Sequence, residues 1–169
     1  MNPNQPATII LMGVSGCGKT SVGIALSDIL GWPFFDGDDY HPKENVAKMA
    51  AGIPLNDEDR FPWLKRINQL ISENLGDKRS LIVACSALKT KYRDVLGEGN
   101  PNTVFVYLKG DFDLIFQRMQ ERSDHYMKAG MLESQFTALE EPEEALTVQI
   151  EANPEKIAQT IIEQLNLQS

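Results

Sequence analysis

Two cysteines in 169 residues, Cys17 and Cys85, exclude a disulfide framework as the source of stability. Long apolar runs are also missing, and the longest fall far short of the roughly 20 residues that span a bilayer. Positive charge is scarce: 16 Lys and Arg stand against 24 Asp and Glu, a net charge of −8. A general nucleic-acid binder carries a basic stripe, so that class is set aside, although a local basic cluster still admits a small anionic ligand. Residues 1–6, Met-Asn-Pro-Asn-Gln-Pro, hold no basic residue and no apolar signal region. The expectation is a soluble, cytoplasmic protein with no nucleic-acid or membrane partner. Internal repeats and low-complexity segments are absent from the sequence. The length suits one domain, 1–169, and a hydrophobic content of 42% is enough for a real core.

What is present is a contiguous signature. Gly13, Val14, Ser15, Gly16, Cys17, Gly18, Lys19 and Thr20 fit G-x-x-x-x-G-K-[ST] without a gap. The run Thr8–Met12 before it reads as a buried strand, and a helical pattern runs from about Lys19 to Leu30, with Gly31 as C-cap. Glycines let backbone N–H groups turn inward and admit a phosphate closely. The helix start adds the positive end of its dipole. Lys19 would reach the β- and γ-phosphates of ATP, and the Thr20 hydroxyl would ligate Mg²⁺. A plain glycine turn between strand and helix needs none of these coincidences.

Further along, Trp32–Asp36 reads as a short strand, Lys43–Ala51 as a polar helix closed by Gly52, and Pro62–Leu75 as a helix with proline in its first turn. Strands are expected over Ser80–Cys85, Thr103–Leu108 and Leu146–Ile150. Helices are expected from Lys89 through Leu96, from Asp111 to about Arg122, over Leu132–Leu139, and from Asn153-Pro154 to the C-terminus. Alternating strands and helices call for a parallel sheet covered on both faces, a three-layer α/β sandwich with ligands at the carboxyl ends of the strands.

Asp36 and Asp38 lie at such an end, alternating and so expected on one side of the strand. Beside a phosphate loop the pair can hold Mg²⁺ through water and take a proton from a hydroxyl; alone it is a polar turn around Gly37. A nucleoside monophosphate is already an anionic nucleophile, so the carboxylates favour an alcohol as acceptor. Lys48, Arg60, Lys89 and Arg93 recur near strand ends and can clamp an acid, or else are solvated surface charges. His41 either bonds a substrate hydroxyl or caps its turn, and Trp63 reads as core. Arg118 and Arg122 share a helix face and either lean on the nucleotide or pair with Glu121 or Asp124. The polar segment Ser123–Gly130 after them reads as a lid. A switch-type GTPase is the rival class, but Asp94-Val95-Leu96-Gly97, its D-x-x-G match, falls on a helix, and no Asn-Lys-x-Asp follows.

Taken together, the phosphate loop, Asp36-Gly37-Asp38-Asp39-Tyr40-His41-Pro42, Lys48 to Arg60, Cys85-Ser86-Ala87-Leu88-Lys89 with Tyr92-Arg93-Asp94, Tyr107 to Gly110, and Gln135-Phe136 to Glu141-Pro142 resemble the gluconokinases of the shikimate-kinase-like branch of P-loop kinases. The match runs nearly the whole chain in family order. It implies transfer from ATP to D-gluconate, giving 6-phosphogluconate for the pentose phosphate or a related route. It also implies a P-loop fold with five parallel strands in the order 2-3-1-4-5, a mobile lid at about 118–132 and a homodimer. By resemblance Asp36 holds Mg²⁺ through water, and Asp38 orients or deprotonates the acceptor hydroxyl. Arg60 and Arg93 bind the sugar acid, and Arg122 is the lid arginine. Lys48, His41, Ser86 and Lys89 join the acceptor side, and Arg118 the nucleotide side. Cys17 stands where many relatives carry serine, and as a cysteine near phosphates it invites oxidation or alkylation. Shikimate or nucleotide kinase activity, or a non-catalytic nucleotide switch, are the alternatives.

Overall fold

The computed structural model describes residues 5–121 and 129–167. The elements are β1 (Thr8–Met12), α1 (Lys19–Leu30), β2 (Phe34–Asp36), α2 (Lys43–Ala50), α3 (Asp57–Gly76), β3 (Leu81–Ala84), α4 (Thr90–Gly97), β4 (Thr103–Lys109), α5 (Phe112–Glu121), α6 (Ala129–Ala138), β5 (Leu146–Gln149) and α7 (Pro154–Gln164). The sheet is wholly parallel, in the order β2-β3-β1-β4-β5.

All five residues of β1 are buried, because the strand is paired on both edges and covered on both faces. Its alternation sorts the core into two. Ile9 and Leu11 pack with Val22 and Leu26 of α1 and Ile157 and Ile161 of α7. Ile10 and Met12 pack on the opposite face with Leu64, Ile67 and Ile71 of α3 and Leu96 of α4. Each fully buried Ile or Leu contributes about 1.5–3 kcal/mol. Ile24 of α1, an apolar residue of the helical pattern, faces outward instead.

Helix ends follow local chemistry. Asn153 accepts from the Lys156 N–H at 2.9 Å with Pro154 at the first turn of α7, as the sequence suggests. One start differs from expectation. The third helix begins at Asp57, not at Pro62, because Asn56 and Asp59 form a reciprocal capping box: Asn56 Oδ1 accepts from Asp59 N at 2.8 Å, and Asp59 Oδ2 accepts from Asn56 N at 3.1 Å. Pro62 therefore lies inside the helix, where it forgoes one backbone bond.

From β1 the chain leaves one way to β2 and β3 and the other way to β4 and β5, so the crevice beyond the carboxyl end of β1 is the switch point where such sheets bind ligands. Among the described residues no helix is long and apolar enough to cross a membrane.

Candidate active site

The phosphate loop occupies that switch point. Its backbone can turn because Gly13, Gly16 and Gly18 adopt φ of 142°, 80° and 101°. A Cβ on Gly13 would lie 2.9 Å from both Cys17 Sγ and the Leu108 carbonyl oxygen, so no side chain fits there. Lys19 curls over the loop, and its Nζ donates to the carbonyls of Gly13 and Val14, each at 3.0 Å. Thr20 Oγ1 donates to Asp36 Oδ2 at 3.1 Å, bringing the first helix turn and the end of β2 together. A hydroxyl and a carboxylate are hard oxygen donors, and they fit Mg²⁺, which keeps several waters and leans on phosphate oxygens. Ser15 is gripped by Gln135 of α6: its N–H donates to Gln135 Oε1 at 2.6 Å, and Gln135 Nε2 donates to Ser15 Oγ at 3.0 Å.

The two cysteines sit near this loop but are buried. Cys17 Sγ lies 3.9 Å from Lys19 Nζ. Burial pushes the Cys85 thiol up to about 12. Neither thiol is accessible for the oxidation or alkylation that proximity to phosphates suggested.

The Asp36–Asp38 pair is built differently from the expected pleat alternation. The strand ends at Asp36, and residues 37–40 form a 3₁₀ turn whose cap is Asp36 itself, with Oδ1 accepting from Asp38 N at 3.1 Å. Gly37 is required there, since a Cβ would come within 2.5 Å of the Ala84 carbonyl oxygen. The turn is fixed from below by Trp63, whose indole N–H donates to the Gly37 carbonyl at 2.7 Å. Asp38 keeps 85% of its side chain exposed at the mouth of the cleft. The surrounding protein nevertheless thins its hydration. That loss, and then the Asp36 carboxylate, raise its pKa against the pull of Lys19 and His41.

His41 is held as a neutral ring. It stacks on Trp63 with centroids 4.1 Å apart, and its side chain is only 5% exposed. Asn45 Nδ2 donates to the Asp59 carbonyl at 2.8 Å and lies 3.2 Å from His41 Nδ1. An amide N–H₂ can only donate, so Nδ1 accepts and the ring proton sits on Nε2, which faces Asp38 Oδ1 at 3.9 Å. Burial lowers the pKa of His41, Asp38 opposes that, and Arg60 adds to it.

The cations of the acceptor side are gathered by the first turn of α3. Lys48 Nζ meets Asp59 Oδ1 at 2.7 Å, and Lys89 Nζ meets Asp57 Oδ1 at 3.4 Å. Lys91 and the Tyr92 hydroxyl also donate to Asp57. These bonds, Lys91 first, hold its carboxyl far below the usual range. Arg60 lies 5.7 Å from the Tyr92 ring centroid, with Nη1 donating to the phenol oxygen at 3.3 Å. Arg93, buried, donates to the Ala87 carbonyl at 2.8 Å and Thr90 Oγ1 at 3.0 Å, so two of its N–H groups stitch the loop after β3. Ser86 of that loop accepts from Gly13 N at 3.2 Å through its carbonyl. Arg118 donates to the Glu151 carbonyl at 3.4 Å. Arg122 and the centre of the expected lid lie outside the described residues; 118–121 end α5 and 129–132 begin α6.

Sequence reasoning missed Asn45, Asp57, Asp59, Tyr92, Gln135 and Glu140. The Asn-x-x-Asp spacing of 56–59 was a legible cap signal. Apart from the Asn45–His41 contact four residues apart, the others act through partners 14 to 120 residues away.

A family model described as shikimate kinase matches residues 15–166. The chain is 47% identical over 136 residues to the thermosensitive gluconokinase of Escherichia coli (strain K12), covering 80% of this chain and 73% of that one. It is 45% identical over 158 residues to the thermoresistant gluconokinase of the same organism, covering 91% and 90%. The crystal structure of a gluconokinase from Sinorhizobium meliloti 1021 superposes with a TM-score of 0.83 at 39% identity, covering 95% of this chain and 93% of that one.

Proposed function

The chain belongs to the shikimate kinase family, and from that premise we propose how its cleft works. The protein is a kinase that uses ATP to phosphorylate gluconate, the activity its relatives carry in name. The phosphate loop from Gly13 to Thr20 and the start of α1 bind the triphosphate, and Lys19 exchanges the Gly13 and Val14 carbonyls for phosphate oxygens. Thr20 and Asp36 would hold Mg²⁺, Asp36 through water, and the bound ion would supply neutralising charge for the triphosphate. Asp38 orients the 6-hydroxyl of gluconate and takes its proton, for which a raised pKa suits it. His41 donates from Nε2 to a substrate hydroxyl. Arg60, Lys89 and Arg93, with Lys48 and Ser86, receive the carboxylate end of the sugar acid. Arg118 and Arg122 serve the nucleotide side, and the enzyme works as a homodimer.

The observation that carries this reading is the Thr20–Asp36 bond. Asp36 accepts from Thr20 of the phosphate loop through one oxygen and from Asp38 N through the other, which supports Asp38 as the base that an alcohol acceptor needs and a nucleoside monophosphate does not. The test is a coupled ADP-release screen with gluconate, shikimate, glucitol and AMP, with and without Mg²⁺, and the product mapped by NMR. Gluconate-dependent turnover giving the 6-phosphate is expected. Faster turnover with shikimate or AMP, or slow hydrolysis indifferent to any acceptor, would overturn it.

A further inference from the structure

Two loops must meet for phosphoryl transfer: the phosphate loop after β1 and the loop 85–89 after β3, which carries Lys89. They touch directly where Gly13 N–H donates to the Ser86 carbonyl. A second connection runs through α6. At one end Gln135 grips Ser15 by both amide atoms. Five residues on, just past the end of α6, Glu140 grips the other loop twice: its N–H donates to the Leu88 carbonyl at 2.8 Å, and its Oε2 accepts from Thr90 N at 2.7 Å. The Thr90 bonds hold the Glu140 carboxyl below its usual range. α6 itself is anchored, with Leu132 buried in the core and Phe136 packed 5.8 Å from Phe112.

We propose that Gln135 and Glu140 are positioning residues that make the end of α6 and the residues just after it a tie between the nucleotide loop and the acceptor loop, so that occupation of one site orders the other. The inference rests on the kinase reading above. Val14 and Ser15 are flanked by glycines at positive φ, so their peptide planes are not fixed by secondary structure. What fixes Ser15 is a side chain 120 residues away. The chemistry selects a primary amide. Ser15 N–H can only donate, so the amide oxygen must face it. The amide nitrogen must then donate to Ser15 Oγ, and the Ser15 hydroxyl proton is turned away from Gln135, free to donate to a phosphate oxygen. Glu140 does the matching work at the backbone of Leu88 and Thr90, on either side of Lys89. Reacting atoms must sit about 3–3.5 Å apart, so a fixed spacing between these loops bears directly on rate.

The test compares wild type with Gln135→Met, which keeps the length and removes both bonds, and with Glu140→Ala, which removes the carboxylate bond to Thr90 and leaves the backbone bond to Leu88. Affinity for a non-hydrolysable ATP analogue is measured by calorimetry with and without gluconate, alongside KM, kcat and thermal unfolding. The tie predicts that Gln135→Met weakens the analogue about tenfold, the scale of two lost hydrogen bonds. Glu140→Ala should raise the gluconate KM several-fold. In wild type the analogue should tighten gluconate binding; that coupling should vanish in Gln135→Met and weaken in Glu140→Ala, with the unfolding temperature little changed. Unaltered analogue affinity in a folded Gln135→Met, or coupling as strong as wild type in either variant, overturns the proposal. The analogue arm requires no acceptor, so it reads the tie even if wild type failed to phosphorylate gluconate, a failure that would count against the proposed function alone.

Discussion

The two halves of the cleft are made of different material. The nucleotide half is backbone: eight consecutive residues, glycines at positive φ, and a helix start set on a strand buried on every side. The proposed acceptor half is side chain: Asp38 and His41 from one turn, Lys48 and Asn45 from α2, Arg60 from α3 and Lys89 from the loop after β3, with Asp59 holding Lys48, Asp57 holding Lys89 and Tyr92 holding Arg60. A phosphate is the same in every nucleotide and can be met with fixed N–H groups. An acceptor is specific, and side chains on separate elements can be changed one at a time without disturbing the donor site.

Substitutions break this contrast in a definite order. Lys19→Met removes the cation that curls over the backbone half. We expect turnover to fall by ~10³-fold, the upper scale for one lost electrostatic donor, with the circular dichroism spectrum unchanged. Near wild-type turnover in a folded variant would remove the phosphate-loop reading. Asp38→Asn should cost ~10²-fold in turnover, the scale of a lost general base, with ATP affinity almost unaltered. Collapse of ATP affinity instead would make Asp38 a metal residue. The same carboxylate predicts a pH profile. A base acts only when ionised, so kcat/KM for gluconate should fall as pH drops through the pKa of Asp38, and because that pKa is raised, the acid limb should lie above the ordinary aspartate range.

Smaller effects sharpen the contrast. Arg60→Ala should raise the gluconate KM about tenfold, the loss of a charged hydrogen bond, and leave glucitol unchanged. Equal weakening of both acceptors would show that Arg60 does not read the carboxylate. Asn56→Ala removes half of the box that begins α3. It should cost about 1 kcal/mol and lower the unfolding temperature by about 2–4 °C, raising the KM for gluconate more than that for ATP. Iodoacetamide should leave Cys17 unlabelled in the native enzyme, with or without MgATP, because the thiol is buried. Labelling that MgATP suppresses would show that the thiol opens to solvent at the phosphate site.

The same contrast explains what could be read in advance. The phosphate loop is contiguous, so its residues announce each other, and the buried run Thr8–Met12 marks the central strand. The acceptor half is assembled across distance. Lys48, Arg60, Lys89 and Arg93 were visible as charges. That Lys48 and Lys89 are parked on carboxylates of α3 depends on where α3 begins. Pro62 suits a first turn, but the Asn56–Asp59 box starts the helix five residues earlier. Gln135 is a polar residue on a helix until the fold carries it to Ser15.

The place of β1 in the sheet also sets a schedule for the chain as it is made. β1 is synthesised first, yet its two edges are closed by β3, beginning at Leu81, and β4, beginning at Thr103. Parallel pairing of this kind rewards the chain only after long loops have closed. The nascent protein therefore carries its most recognisable motif for about a hundred residues before the strand beneath it gains its second neighbour. Until then the apolar run beneath the phosphate loop is an open sheet edge, and the chain is most in need of protection from its own copies.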